Sequence, residues 1–297
     1  MIALEGHICM GFVFFVLGFW HLFNYLKLHF LCSSNTSLPF WFPTKISRYL
    51  ELYFIVASCA IFSAAEIFEA SSNGTIPTNH IHQVEHTSIT LSFLIYATFA
   101  IILDTKKSTI TEKTQYEITL LLAAIAFGQE FLLFHLHSRS HMGIEGQYHY
   151  CLQVLIMIGF FTTLMGIGFP KSFLVCFLRS VSMIFQGLFI MFMGLVLSRP
   201  GYQPKGCFLE YEGDQLMIRC NDEKAMHRAI SLVNLQFSWF FIGITIFVVS
   251  FYLIMAIIYG EKVECDSLMK EEHYGEDDGS KNFDVESHIQ MITTNVM

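Results

Sequence analysis

Seven blocks of about 20 mostly apolar residues recur along the chain, each long enough to cross a hydrocarbon core of roughly 30 Å. They fall at 8–26, 50–69, 86–103, 117–137, 149–169, 172–197 and 235–259. A bilayer interior offers no water to backbone N–H and C=O groups, so segments of this length are read as helices, which pair those groups internally. The expected fold class is all-α, a polytopic membrane bundle of seven transmembrane helices. Pro170 separates the fifth and sixth blocks, because its ring disfavours helical geometry at the residue before it. Composition agrees: 14% of residues are charged, against about 25% in a soluble globular chain.

Loop charge sets the expected orientation. Lys27, Lys45 and Arg48 follow the first block, and Lys106, Lys107 and Lys113 follow the third. The segment between the second and third blocks has no Lys or Arg. Positive charge in short loops marks the cytosolic side, which puts loops 1, 3 and 5 and the C-terminus in the cytosol and the N-terminus outside or in a lumen. The head of the chain, Met1 to His7, lacks the positive segment of a cleavable signal peptide, so the first block is expected to persist as a span.

From Glu261 onward ten acidic residues face three basic ones. This division gives a seven-span transmembrane domain at 1–260 and an acidic, disordered cytosolic tail at 261–297. The membrane body is then close to neutral, and no basic patch points to nucleic acid. In the long sixth loop, Cys207 and Cys220 fall on the oxidising side and are a candidate disulfide pair. Ala225 to Asn234 is expected to extend the seventh span outward as a partly exposed helix.

Nine of the thirteen histidines fall near the outer interface. His7 precedes the first span, and His82 and His86 sit one helical turn apart at the entry to the third. His137 and His141 end the fourth span and His149 opens the fifth. Glu130 lies inside the fourth span, and at 100° per residue it falls within about 40° of His137 and His141. An ionisable residue inside a span faces a partner or a water-filled cavity. His7, His82, His86, His137, His141 and His149 are therefore candidate ligands for Zn²⁺ or another divalent metal, with Glu130 as a candidate catalytic base or further ligand. His7, Gly11, Gly18 and His21 form one stripe on the first span, where glycine lets a neighbouring helix approach closely. Glu51 and Arg179, near the cytosolic ends of their spans, are expected to pair as a lock between spans 2 and 6. Gln186, Ser231, Asn234 and Ser238 are expected to make interhelical hydrogen bonds.

Gly6-His7, the Glu85-His86-Thr87-Ser88 entry, and the run Glu130-Phe131-Leu132-Leu133-Phe134-His135-Leu136-His137 carry a resemblance, as does Glu145-Gly146-Gln147-Tyr148-His149. With Arg179-Ser180 and Gln186-Gly187, the chain resembles the transmembrane protein 45 family, in its plant-type branch, over about residues 1–260. The resemblance implies seven spans and leaves the chemistry open.

Three functions compete. A metal-dependent intramembrane hydrolase would lower the pKa of a zinc-bound water to about 7 and take a lipid-like substrate from the bilayer. A metal-ion or proton transporter would use Glu130 as a relay, and His21 and Glu51 could complete its path only by sharing one cavity. A pH-sensing or scaffolding protein would use histidines that titrate near 6.5. The expected location is the plasma membrane or an endomembrane, with the lipid bilayer as the one partner composition implies. No nucleophilic serine motif stands out, so covalent catalysis is unsupported, and whether the chain is an enzyme stays open.

Overall fold

A computed structural model describes residues 2–31, 38–71, 81–106, 110–140, 143–212 and 215–273. The side chains at 2, 3, 82, 137, 139, 140, 212, 215 and 261–273 stand outside that description. Among the described residues, seven helices are long and apolar enough to cross a membrane. They are α1 (Ile2–Leu31), α2 (Leu50–Ala70), α3 (Ile81–Thr105), α4 (Glu112–Ser140), α5 (Ile144–Gly168), α6 (Phe173–Ser198) and α7 (Glu223–His273). Each covers an expected span to within one residue. The apolar blocks mark only the part that needs lipid, while polar residues at the ends extend the same hydrogen-bonded helix.

Helix boundaries follow local chemistry. Ser172 caps α6 by accepting a hydrogen bond from the Val175 amide at 3.4 Å, just after the Pro170 turn. Gly143 reverses the chain between α4 and α5 with φ of +81°, a conformation glycine adopts without a Cβ penalty. α7 begins at Glu223, so residues 225–234 are helical as expected, and runs on to His273. The helical backbone thus crosses the expected domain boundary at residue 260, since nothing in 261–273 breaks it.

The helices form a closed ring in the order α1, α2, α3, α4, α5, α6, with α7 packed outside against α1, α5 and α6. The α1–α6 contact is the most extensive, and glycine makes it possible. A Cβ at Gly11 would lie 2.5 Å from the Gly187 carbonyl oxygen, and one at Gly18 would lie 2.7 Å from the Ile184 nitrogen. The stripe read on the first span therefore faces α6 backbone to backbone. Lipid tails are as apolar as leucine, so this close packing, rather than hydrophobic burial, holds the two helices together. α7 is fastened by aromatic rings: Phe237 stacks on Phe185 at 5.1 Å and meets Phe189 edge-on at 5.3 Å. Large apolar side chains such as Ile61 and Phe68 on α2 and Trp239 on α7 point outward, as lipid-facing positions should.

The sixth loop carries structure that hydropathy did not signal. Strands β1 (Cys207–Glu212) and β2 (Gln215–Cys220) form an antiparallel hairpin, with Cys207 opposite Cys220 and the two joined by a disulfide. Six-residue strands in a loop are too short to show a period against a helical background. The hairpin touches α6 and α7, so it sits at the end of the bundle that also holds the N-terminus of α1.

Candidate functional site

Two polar regions occupy opposite ends of the ring. At the end that carries loops 1, 3 and 5, residues 38–49 fold back into the bundle rather than lying over it. Leu38, Phe40 and Phe42 are buried. The Leu38 amide donates to the Pro170 carbonyl at 3.0 Å, and the Tyr25 hydroxyl donates to the Pro39 carbonyl at 2.8 Å. This plug positions Glu51 at the first turn of α2. Its carboxylate accepts from the Phe42 amide and the Trp20 indole, both at 3.1 Å, and meets His21 Nε2 at 2.6 Å. Three donors match the acceptor-only chemistry of a carboxylate. His21 Nδ1 is buried with no hydrogen-bond partner.

Arg179 on α6 is 2% exposed. Its Nη2 donates to the Tyr25 hydroxyl at 2.8 Å and approaches Cys176 Sγ at 3.7 Å. The guanidinium carbon lies 4.6 Å from the centre of the Phe40 ring, and Nε and Nη1 have no partner. The expected Glu51–Arg179 lock is therefore replaced: Glu51 is taken by His21, Trp20 and the Phe42 amide, while Arg179 is held by a phenol, a sulfur and aromatic faces. Plug folding contributes to this, because it brings the Phe42 amide to Glu51, a donor that no helix-phase argument contains.

Glu51, His21 and Arg179 nonetheless line one cavity of about 60 Å³ inside the ring. The remaining walls are apolar, with Phe14 and Leu17 from α1, Ile55 and Cys59 from α2, and Phe93 from α3. Tyr96 of α3, Ala123 and Phe127 of α4 and Met183 of α6 continue the lining, and Met10, Val13 and Phe40 complete it. A water molecule takes about 30 Å³ in the liquid, so the cavity has room for about two.

Glu130 is buried at 1% exposure and accepts from Gln186 Nε2 at 2.5 Å, while its Oε2 has no partner. Phe127 and Met183 of the cavity wall stand three residues before Glu130 and Gln186 on their helices. That is about 4.5 Å along each axis. One turn further on α4, Phe134 packs on the rings of His149 at 5.6 Å and His86 at 6.4 Å. Cavity wall, carboxylate and the contacts to His86 and His149 thus follow one face of α4.

At the end that holds the N-terminus of α1, His86 Nδ1 lies 3.8 Å from Glu66 Oε2. The His7 ring meets the His86 ring edge-on at 6.4 Å. His149 is buried, with Nδ1 2.9 Å from the carbonyl of Glu145 on its own helix. The structure thus brings His7, His86 and Glu66 near one another and ties His149 to its own backbone. Among the described residues, no group of three His, Cys, Asp or Glu side chains is arranged to hold a metal ion. The side chains of His82 and His137, and the whole of His141, lie outside the described residues.

A second cluster at the opposite end escaped the sequence reading. Arg48 Nε and Nη2 donate to both oxygens of Asp104 at 2.7 and 3.0 Å, Tyr49 donates at 2.7 Å and Gln115 at 2.8 Å. It ties the start of α2 to the end of α3 and the start of α4. Its hydrogen bond to Asp104 holds the Arg48 guanidinium above its ordinary value, and partial burial, then the Asp104 hydrogen bond, raises the Tyr49 phenol. The signal available was an acidic residue at the foot of an apolar span beside a basic loop. Of the expected interhelical bonders, Gln186 reaches Glu130 and Asn234 accepts from Gln147 at 2.6 Å, whereas Ser231 donates to the His227 carbonyl of its own helix.

No curated protein matches the chain. The family model described as "Family of unknown function (DUF716)", the family of transmembrane protein 45 proteins, matches residues 116–253. That segment runs from the first turns of α4 through most of α7 and holds Glu130, His149, Arg179 and Gln186.

Proposed function

We propose that this multi-pass membrane protein moves protons across the bilayer along its buried ionisable side chains. The observation that carries the proposal is that His21 and Glu51 share one cavity, whose wall ends a single helical turn from Glu130. A relay needs groups that exchange protons, spaced closely enough for water to bridge them, and ionisable residues inside spans favour such pathways. The His21–Glu51 pair supplies one station and Glu130 the next. His86, His7 and Glu66 form the outer approach. Phe127, Met183 and Phe134 stand between the stations as apolar constrictions of the kind that gate by excluding water. The plug of residues 38–49 closes the other end, so transport requires Phe40 and Phe42 to shift.

Proteoliposomes with an imposed pH gradient and an entrapped pH-sensitive dye test this directly. Wild-type protein should dissipate the gradient faster than protein-free vesicles, and Glu130→Gln, which keeps the Gln186 contact possible, should slow it by about tenfold or more. Equal rates for wild type and Glu130→Gln would sink the relay.

A further inference from the structure

Neighbouring helices of the ring do not pack equally, and the α1–α2 contact is the slightest. The two helices meet at the N-terminal end of the bundle, where a Cβ at Gly6 would lie 3.4 Å from the Phe62 ring. They meet again at the loop 1 end, where Glu51 takes His21 and Trp20. Between these crossings α1 turns Met10, Val13 and Leu17 to the cavity, and α2 turns Ile55 and Cys59. The seam is thus pinned at both ends, with the cavity behind its middle. The apolar blocks fix the depth of that middle. Leu17 is the central residue of 8–26 and Phe127 that of 117–137, while Cys59 and Phe93 stand close to the centres of 50–69 and 86–103. The cavity therefore lies at the midplane of a hydrocarbon core roughly 30 Å thick, the depth at which acyl chains end.

Water has little to hold it there. A buried water takes about two to four polar partners, yet the surface of the cavity is almost wholly apolar, and Glu51 already accepts from three donors. Left empty, the void would forfeit dispersion contacts along its walls. We infer that the end of a membrane-lipid acyl chain enters the cavity sideways, between α1 and α2, and fills it. The volume of about 60 Å³ corresponds to about two water volumes, so only the last few carbons enter while the headgroup stays at the membrane surface. Met10 and Val13 are partly exposed and form the lip of the entrance. Methionine is unbranched and flexible, so Met10 can turn aside where a β-branched residue would not. A seated chain stands between the His21–Glu51 pair and Glu130, where it keeps bridging water out and holds the relay closed. This consequence rests on the proton-transfer reading above, while the chain site itself does not.

Photolabelling of the full chain in phosphatidylcholine vesicles tests the site, using a phosphatidylcholine with a diazirine at the chain terminus and peptide mass spectrometry to map the adducts. Wild type should be labelled on the buried Phe14, Leu17 and Cys59 as well as on outward residues such as Ile61 and Trp239. A second phosphatidylcholine, with the diazirine beside the ester carbonyl, should leave the three buried residues unlabelled. Ile55→Phe, which fills the cavity, should cut labelling of Phe14 and Cys59 about tenfold relative to Ile61. Terminal-diazirine labelling confined to outward residues in wild type, or equal labelling of Phe14 and Cys59 in Ile55→Phe, overturns the inference. The wild-type comparison of the two probes decides the matter even where the variant fails to fold. Proton flux in the same vesicles separates the two proposals. Flux without labelling inside the ring leaves the relay standing and removes the chain site; labelling inside the ring without flux does the reverse.

Discussion

At the loop 1 end of the bundle Glu51 accepts from Trp20, Phe42 and His21, and Asp104 from Arg48, Tyr49 and Gln115. At the N-terminal end the corresponding carboxylate, Glu66, approaches His86 only to 3.8 Å. The difference comes from the loops. Residues 38–49 fold into the ring and bring backbone and aromatic donors to charges that would otherwise sit in hydrocarbon. The sixth loop instead folds on itself as a disulfide-closed hairpin touching α6 and α7. A buried charge that is fully bonded is structural as well as chemical, whereas the longer Glu66–His86 contact, with the His86 side chain 24% exposed, can be altered at less cost.

The comparison breaks first at Glu51. Glu51→Ala strands two buried donors and His21, and should lower stability by about 3–5 kcal/mol, measured by denaturant titration in mild detergent. A loss below about 1 kcal/mol would mean that the plug is not held by this carboxylate. Next comes the α1–α6 seam. Gly187→Ala puts a Cβ 2.5 Å from the Phe15 nitrogen and should cost about 1–3 kcal/mol through forced separation of the helices; a stability equal to wild type would show the seam to be looser than described. At the N-terminal end His86→Ala should cost less than about 1 kcal/mol, read by the same titration, and a larger loss would erase the contrast between the ends. Elemental analysis of protein purified without chelators sharpens the last point. We expect metal well below about one ion per chain, because no group of three ligands is arranged to hold one among the described residues; a full equivalent that is lost in His137→Ala would return the chemistry to the histidine-rich end.

Much of the fold was legible because a bilayer demands one thing of each span, a run of apolar residues of fixed length, and the sequence displays seven. The glycine stripe of α1 was legible for a similar reason, since helical phase is local and Gly11 and Gly18 announce a close neighbour. Partner choice was another matter. Glu51 and Arg179 sit at similar depth on helices 2 and 6, which made a pair plausible, yet depth does not say which side chains a folded loop will interpose. Phe40 and Phe42 lie in a stretch that hydropathy treats as a connector. The Asp104 cluster has no local signature, because its three partners come from two separate elements, α2's approach and α4's first turn.

What the sequence determined alone is therefore the set of spans, their limits near charged or proline-containing turns, and the depth of each ionisable residue along its own helix. These depend on interactions within one segment or between a segment and lipid. The tertiary structure decided that His21 and Glu51 meet, that Arg179 does not join them, and that all three share a cavity one turn from Glu130. Such outcomes depend on ring order and on where loop 1 goes, and both are settled by packing between residues far apart in the chain.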